Sequence, residues 1–444
     1  NKISEITYAG NQNRFGNLII RKVNIDEDFN NDFFRNYLAG LAGDSRLGEI
    51  TSLQILFPEF IDYKNYFKNE EYFYQTFIEG LYLGSYSFNY YKSDCEKERK
   101  LDVYLIGNIK DLSIAKFTSA ALMEGVYFAR NLSNEPGGVL TPDEISVRIA
   151  KKVKNLCIKT NILNVKEIKK SKMGGVLAVG KGSDNPPKFI VLNYKPAGKP
   201  KKKITLVGKG VTFDSGGISI KPSQKMSEMK ADMSGAAAVV GTMISAAKVK
   251  LPIEIIGIIP AVENMPSGKA LKPGDIIKTS SGKTIEVEDT DAEGRIILAD
   301  ALEYASRLKP DVIIDLATLT GAAVVALGEF PAALFTKDES LAKDIYNAGS
   351  VTYERVWRLP LWNEYYKFIK SDIADVKNYG GRWGGAITAA KFLEKFVAKN
   401  VSWAHMDIAG PAIYHDLNNY TKKYMTGFGV RLLFELLLSW NNKN

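Results

Sequence analysis

The chain carries only two cysteines and two histidines in 444 residues, and each scarcity removes a class of chemistry. Cys95 and Cys157 lie far apart and neither belongs to a CxxC pair. One chain therefore cannot build a disulfide framework or a thiolate zinc site from them, and a reducing compartment fits best. With only His405 and His415, a zinc site of two or three imidazoles or a His-centred triad would nearly exhaust the supply. Any metal site here must be dominated by oxygen ligands. The absence of a Gly-x-Ser-x-Gly elbow argues against a serine hydrolase. No apolar run reaches the length of a membrane span, and Asn1-Lys-Ile-Ser-Glu5 lacks the basic-then-apolar order of a secretion signal. A cytoplasmic protein with no membrane partner is the expectation.

What is present is ordinary in bulk: 45% hydrophobic and 25% charged residues, enough for two domains with substantial cores. The formal charge of +9 permits a polyanionic partner, but the lysines are spread along the chain. Their densest run, Lys195 to Lys203, is broken by Pro and Gly and reads as an exposed loop. The first hundred residues are rich in Phe, Tyr and Asn, with strand-like runs at Leu18–Ile20 and Val103–Ile106 and a helical stretch from Glu70 to Leu83. They predict a smaller N-terminal α/β domain over residues 1–115. A helix over about 113–133 either closes that domain or links it to a second one at 116–444.

Beyond this helix, continuous apolar runs alternate with helical patterns. Phe189–Leu192, Ile204–Val207, Ile253–Ile259 and Asp311–Leu316 read as buried strands, and 234–248 and 296–308 as helices. This alternation predicts an α/β fold whose mostly parallel, mixed central sheet is covered by helices on both faces. Ligands in such sheets gather beyond the carboxyl ends of the strands. Lys209 follows Val207, Asp291 follows Val287 and Thr318 follows Leu316, so three candidates are expected at one edge.

Two charged clusters carry the chemistry. One begins in the Gly-rich segment from Val207 to Gly217 and comprises Lys209, Asp214, Lys221 and Asp232; the other, Asp291, Glu293 and Arg295, is expected on a loop between a strand and a helix. Asp214, Asp232, Asp291 and Glu293 supply four negative charges, enough to neutralise two divalent cations. Crowded into one pocket without cations they would repel and raise one another's pKa. Such ligands suit magnesium, manganese or zinc, and a metal pair bridged by carboxylates is equipped to hydrolyse an amide. Two adjacent cations would favour a neutral Lys209 able to donate its lone pair, whereas Lys221 and Arg295, kept charged, would face a developing oxyanion or hold an anionic base. Gly175 to Lys181 has the spacing of a phosphate-binding loop, but Gly182 stands where the Ser or Thr should be. His405, in a strand-like run, is expected to be a buried, hydrogen-bonded structural residue.

At these residues the chain resembles the leucyl (cytosol) aminopeptidase family, whose hallmark Asn-Thr-Asp-Ala-Glu-Gly-Arg-Leu appears as Asp289-Thr-Asp-Ala-Glu-Gly-Arg-Ile296. The spacing of Lys209, Asp214, Lys221 and Asp232 is in register. The likeness continues through Arg130–Pro136, Thr318–Ala322, Ser371–Asp375, Trp403–Gly410 and Met425–Gly427. The resemblance implies a dinuclear metallo-exopeptidase that removes N-terminal residues, leucine and other apolar ones by preference, from peptides through a water activated by two metals. It also implies a homohexamer. By position, Lys209, Asp214, Asp232 and Glu293 would hold the tighter ion, and Asp214, Asp291 and Glu293 the exchangeable one. The ions would be manganese or zinc, with magnesium also suited to the exchangeable position. Asp232 would meet the substrate amine, Arg295 would anchor a bicarbonate acting as general base, and Lys221 would stabilise the tetrahedral intermediate. Met229, Thr318, Gly321 and the Ala409–Gly410 region would line the pocket for the first side chain.

Three departures stand out: Asp289 for Asn, Ile296 for Leu, and Gly137-Gly138 in place of an Asn-containing turn. Asp289 either tunes metal affinity or makes the turn contact of its loop. The alternative to a peptidase is a DNA-binding architectural protein on the same fold, with or without catalysis, which would need basic side chains concentrated on one face.

Overall fold

In the computed structural model the described residues are 5–8, 18–21, 23, 25, 27, 29–43, 52–94, 101–106 and 112–442; Cys95 lies outside them. The four apolar runs are the strands Lys188–Tyr194, Lys203–Gly208, Glu254–Asn264 and Val312–Ala317 of one nine-stranded sheet. Its centre is parallel, in the order Ser402–Asp407, Val312–Ala317, Lys203–Gly208, Glu254–Asn264. Antiparallel partners flank it, Ala332–Phe335 on one side and Lys188–Tyr194 then Ile158–Leu163 on the other. Val356–Arg358 runs parallel to Ala332–Phe335 at the edge. The short strand Gly210–Asp214 pairs with the far half of Glu254–Asn264.

Strand side chains alternate between faces, so consecutive apolar residues feed two cores. Ile204, Leu206, Ile314 and Leu316 belong to one, beneath the helices Leu112–Asn134, Ser234–Lys248 and Val430–Asn442. Val207, Ile313 and Ala317 belong to the other, beneath Gly174–Gly180, Glu293–Arg307 and Gly385–Glu394. The helix over 174–180 occupies the stretch that had phosphate-loop spacing, so no loop is present there to cradle a phosphate. The run 195–202 is indeed a connection between strands.

Two positional expectations need correction. The loop bearing Asp291 leaves not the main sheet but a separate three-stranded one, made of Ile276–Lys278, Thr284–Glu286 and Val376–Lys377. The following helix starts at Glu293 rather than Ile296, so Glu293 and Arg295 occupy its first turn instead of the loop. An acidic residue there complements the positive end of the helix dipole.

The N-terminal part holds the helices Phe33–Gly43 and Glu70–Ser85, the parallel pair Ser52–Leu56 and Asp102–Ile106, and the antiparallel pair Glu5–Tyr8 and Leu18–Arg21. Its core is aromatic, with Phe34 stacked on Phe77 at 4.3 Å. Buried charges join it to the rest. Lys68 pairs with Glu435 at 2.7 Å, and the Tyr420 hydroxyl donates to Asp32 at 2.9 Å.

Candidate metal centre

Gly208 lets the helix Ser234–Lys248 press onto the sheet, since a Cβ there would sit 2.6 Å from the Ala236 Cα. The chain then turns at Lys209, whose N–H donates to Leu316 O at 3.0 Å and whose C=O accepts from Ala236 N at 2.9 Å. The buried Lys209 side chain therefore has one direction to take. Its Nζ lies 2.7 Å from Asp232 Oδ2 and 2.8 Å from Glu293 Oε1, and donates to Thr318 O at 2.9 Å. Thr318 in turn donates its hydroxyl to Asp232 Oδ1 at 2.8 Å. Lys221 forms the second cation, 2.9 Å from Asp214 Oδ2 and in close contact with Asp291.

The two sequence clusters do converge. Asp214, Asp291 and Glu293 each place an oxygen so that all three lie within 4.8 Å of one another. Asp232 joins them through Lys209. Burial drives the Asp291 pKa up to about 7, reinforced by the charge of Asp214 and opposed by Lys221. Burial likewise raises Glu293 and Asp232, with neighbouring carboxylates adding to the effect. Burial alone would lower Lys209 and Lys221, but the surrounding carboxylates outweigh it and hold both well above the ordinary ammonium value. Asp232 Oδ2, Asp291 Oδ1 and Glu293 Oε1 are buried and accept no hydrogen bond of good geometry, although each lies close to a lysine ammonium. Desolvated carboxylate oxygens gathered at one point are a donor set suited to divalent cations, so the residues fit the metals that the sequence implied.

The other named residues surround this centre. Arg295 is buried; its pKa is lowered by burial, with Glu293 and Asp407 opposing, and its guanidinium donates to Asn378 O while Nε finds no acceptor. Met229 is half-buried on the 3-10 turn Met226–Ala231 that leads into Asp232. Gly321 opens the helix Gly321–Leu327, and a Cβ there would meet nothing within 4 Å. Ala409 and Gly410 follow the strand Ser402–Asp407, whose Asp407 accepts from Leu319 N at 3.1 Å and from the Thr320 hydroxyl at 2.7 Å. Asp289 makes the turn contact, its Oδ1 accepting from Asp291 N at 2.9 Å. His405 is structural: Nδ1 meets Asp315 Oδ1 at 2.6 Å, and Trp403 donates to the same carboxylate at 2.7 Å.

With this geometry in place, the deciding observation is a match of residues 127–434 to the catalytic domain of the cytosol aminopeptidase family. The chain belongs to that family. A relative from Chlorobium limicola named "probable cytosol aminopeptidase" is 51% identical over 379 residues, covering 82% of this chain and 75% of its own. One of the same name from Aquifex aeolicus is 45% identical over 416 residues, covering 93% and 82%. Among solved structures, the bottromycin maturation enzyme BotP in complex with Mn superposes with a TM-score of 0.89 at 34% identity, over 99% of this chain and 94% of that one. As in its family, the catalytic chemistry of this chain is that of a peptidase. No helix among the described residues is long and apolar enough to cross a membrane.

Three polar residues at the centre were not found from the sequence. Asn264 donates to Asp214 Oδ1 at 2.8 Å and to Thr290 O at 3.1 Å. Asn378 clamps the Asp291 loop from a segment about ninety residues away. Asp407 anchors the Thr318–Gly321 stretch. Asn264 ends an apolar strand at the ligand-bearing edge, which was the one available signal; the partners of the other two are set by tertiary structure alone.

Proposed function

We propose that the protein is a metal-dependent aminopeptidase that releases N-terminal residues, leucine and other apolar ones by preference, from peptides. The convergence of Asp214, Asp291 and Glu293 on one point carries this reading. Two divalent ions, manganese or zinc with magnesium also suited to the weaker position, would supply a water of lowered pKa and polarise the scissile carbonyl when bound. Lys209, Asp214, Asp232 and Glu293 would hold the tighter ion, and Asp214, Asp291 and Glu293 the exchangeable one.

The remaining roles belong to the protein's own side chains. Lys221, one-fifth exposed, offers an ammonium where the attacked carbonyl oxygen gains charge. The unpartnered Arg295 Nε is a buried donor suited to a small anion such as bicarbonate, which would accept the proton of the attacking water. The Asp232 carboxylate would receive the substrate's free amine, restricting cleavage to a chain end. Met229, Thr318 and Gly321 would border the first side chain, the open space above Gly321 leaving room for a branched apolar group. Homohexameric assembly belongs to the same proposal.

Purified protein given manganese or zinc should hydrolyse leucine amide, and a chelator should abolish turnover. A panel of other N-terminal residues measures the preference. No hydrolysis with any divalent metal would overturn the reading.

A further inference from the structure

The segment from Glu288 to Ala292 leaves the small sheet without a neighbouring strand, so its backbone polar groups need other partners. It follows, after Val287, the strand Thr284–Glu286, which runs parallel to Val376–Lys377, and the last bond of that parallel ladder is Asn378 N to Glu286 O at 3.0 Å. From that point the fully buried Asn378 side chain takes over the part of a strand. Its Oδ1 accepts from Glu288 N at 2.8 Å and Asp289 N at 3.3 Å. Its Nδ2 donates to Asp289 O at 2.6 Å and to Ala292 O at 3.3 Å. Its own carbonyl accepts from the Arg295 guanidinium. One asparagine thus fixes both ends of the stretch that carries Asp291, the residue just before Glu293, and the arginine one turn further on.

We infer that Asn378 is a positioning residue for the reaction, setting the distance of Asp291 and Glu293 from Asp214 and the orientation of Arg295. This inference rests on the proposed metal-dependent peptidase. No other side chain reproduces two donors and a double acceptor at that spacing on a short stem. An alanine there removes four hydrogen bonds to the loop backbone, of which only the one at Asp289 O has a substitute, Ala292 N at 3.3 Å, and a loop so loosened no longer holds a metal ligand set in place.

The test compares Asn378→Ala with the unaltered protein in two readouts: the calorimetric isotherm for manganese alone, and kcat against KM for leucine amide at saturating manganese. The expected result is a weakening of manganese binding by about 10–100-fold, with kcat falling by about 100-fold and KM changing by less than threefold. Circular dichroism should show the fold retained. A purely structural asparagine would instead lower the melting temperature while leaving the isotherm and the kcat of the folded protein unchanged, and that outcome overturns the proposal. Should the alanine variant not fold, Asn378→Ser, which keeps one hydroxyl in the cavity, reads the same two quantities. If the unaltered protein binds manganese but cleaves nothing, the peptidase reading falls while the isotherms still decide the role of Asn378. If it takes up no manganese, both fall.

Discussion

Gly294 sits between two residues whose positions matter, and replacing it by alanine separates stability from chemistry. The added methyl would lie 2.7 Å from Lys209 Cε, 2.9 Å from Lys209 Nζ and 3.0 Å from Leu319 Cδ1. Carbon contacts relax at about 3.5–4 Å, so the lysine tip must retreat by roughly 0.8–1.3 Å. That tip is held by Asp232, Glu293 and Thr318 O at distances of 2.7–2.9 Å, and retreat disturbs all three at once. The overpacking costs about 1–3 kcal/mol. Exchange of glycine for alanine in a helix returns about 0.5–1 kcal/mol. The net loss, from about zero to about 2.5 kcal/mol, should lower the melting temperature of the chelated protein by no more than a few degrees. Activity responds to geometry far more steeply, and a displacement near 1 Å should cost about 100-fold in turnover of a chromogenic leucine derivative. Turnover within threefold of the unaltered protein, at saturating manganese, would refute the argument that the position of Lys209 matters to the reaction.

Replacing Lys209 by methionine strands Asp232 and Glu293, and removal of one member of a buried ion pair costs about 3–5 kcal/mol. Lys209→Met should therefore melt markedly lower in chelator and recover part of the difference in manganese; equal losses in both conditions would contradict this. Lys221→Ala should lower kcat by about 10²–10³-fold while manganese affinity, measured by calorimetry, stays the same or rises. The two histidines make a clean NMR titration. Burial lowers His405, but Asp315 outweighs it and its pKa lies above 6.5, whereas burial takes His415 below 6.5. The stabilisation from His405 is thus complete below pH 6.5 and lost as pH rises through its folded pKa, while that from His415 is present above 6.5 and lost as pH falls. Two imidazole resonances titrating together near 6.5 would dismiss both assignments.

The central sheet was legible because its strands are apolar on both faces for most of their length, a pattern that survives without knowledge of their order. Antiparallel flanks such as Ala332–Phe335 were not, since short buried runs carry no direction. The metal-centre residues were legible as charge types at motif spacing, and Lys209, Asp214, Asp232, Asp291 and Glu293 do meet in space. Asp291 does reach the other ligands, but assigning the strand before it to the main sheet fails because a strand's sheet depends on pairing, here with Val376–Lys377, and pairing is non-local. The helix start at Glu293 was hidden because Ala292 offers no capping side chain. Asn378 and Asp407 remained invisible for a related reason: their hydrogen bonds reach residues some ninety positions away, and nothing in the nearby sequence marks them.

Lys209 and Lys221 stand among the acidic groups as built-in counterions. With these positive groups in place the acidic cluster does not need metal to balance its charge, so the chain is expected to reach its final shape before any mineral arrives. Recharging would then need no refolding: Lys221 keeps its proton and shifts aside, while Lys209 gives one up and turns its lone pair to the incoming ion.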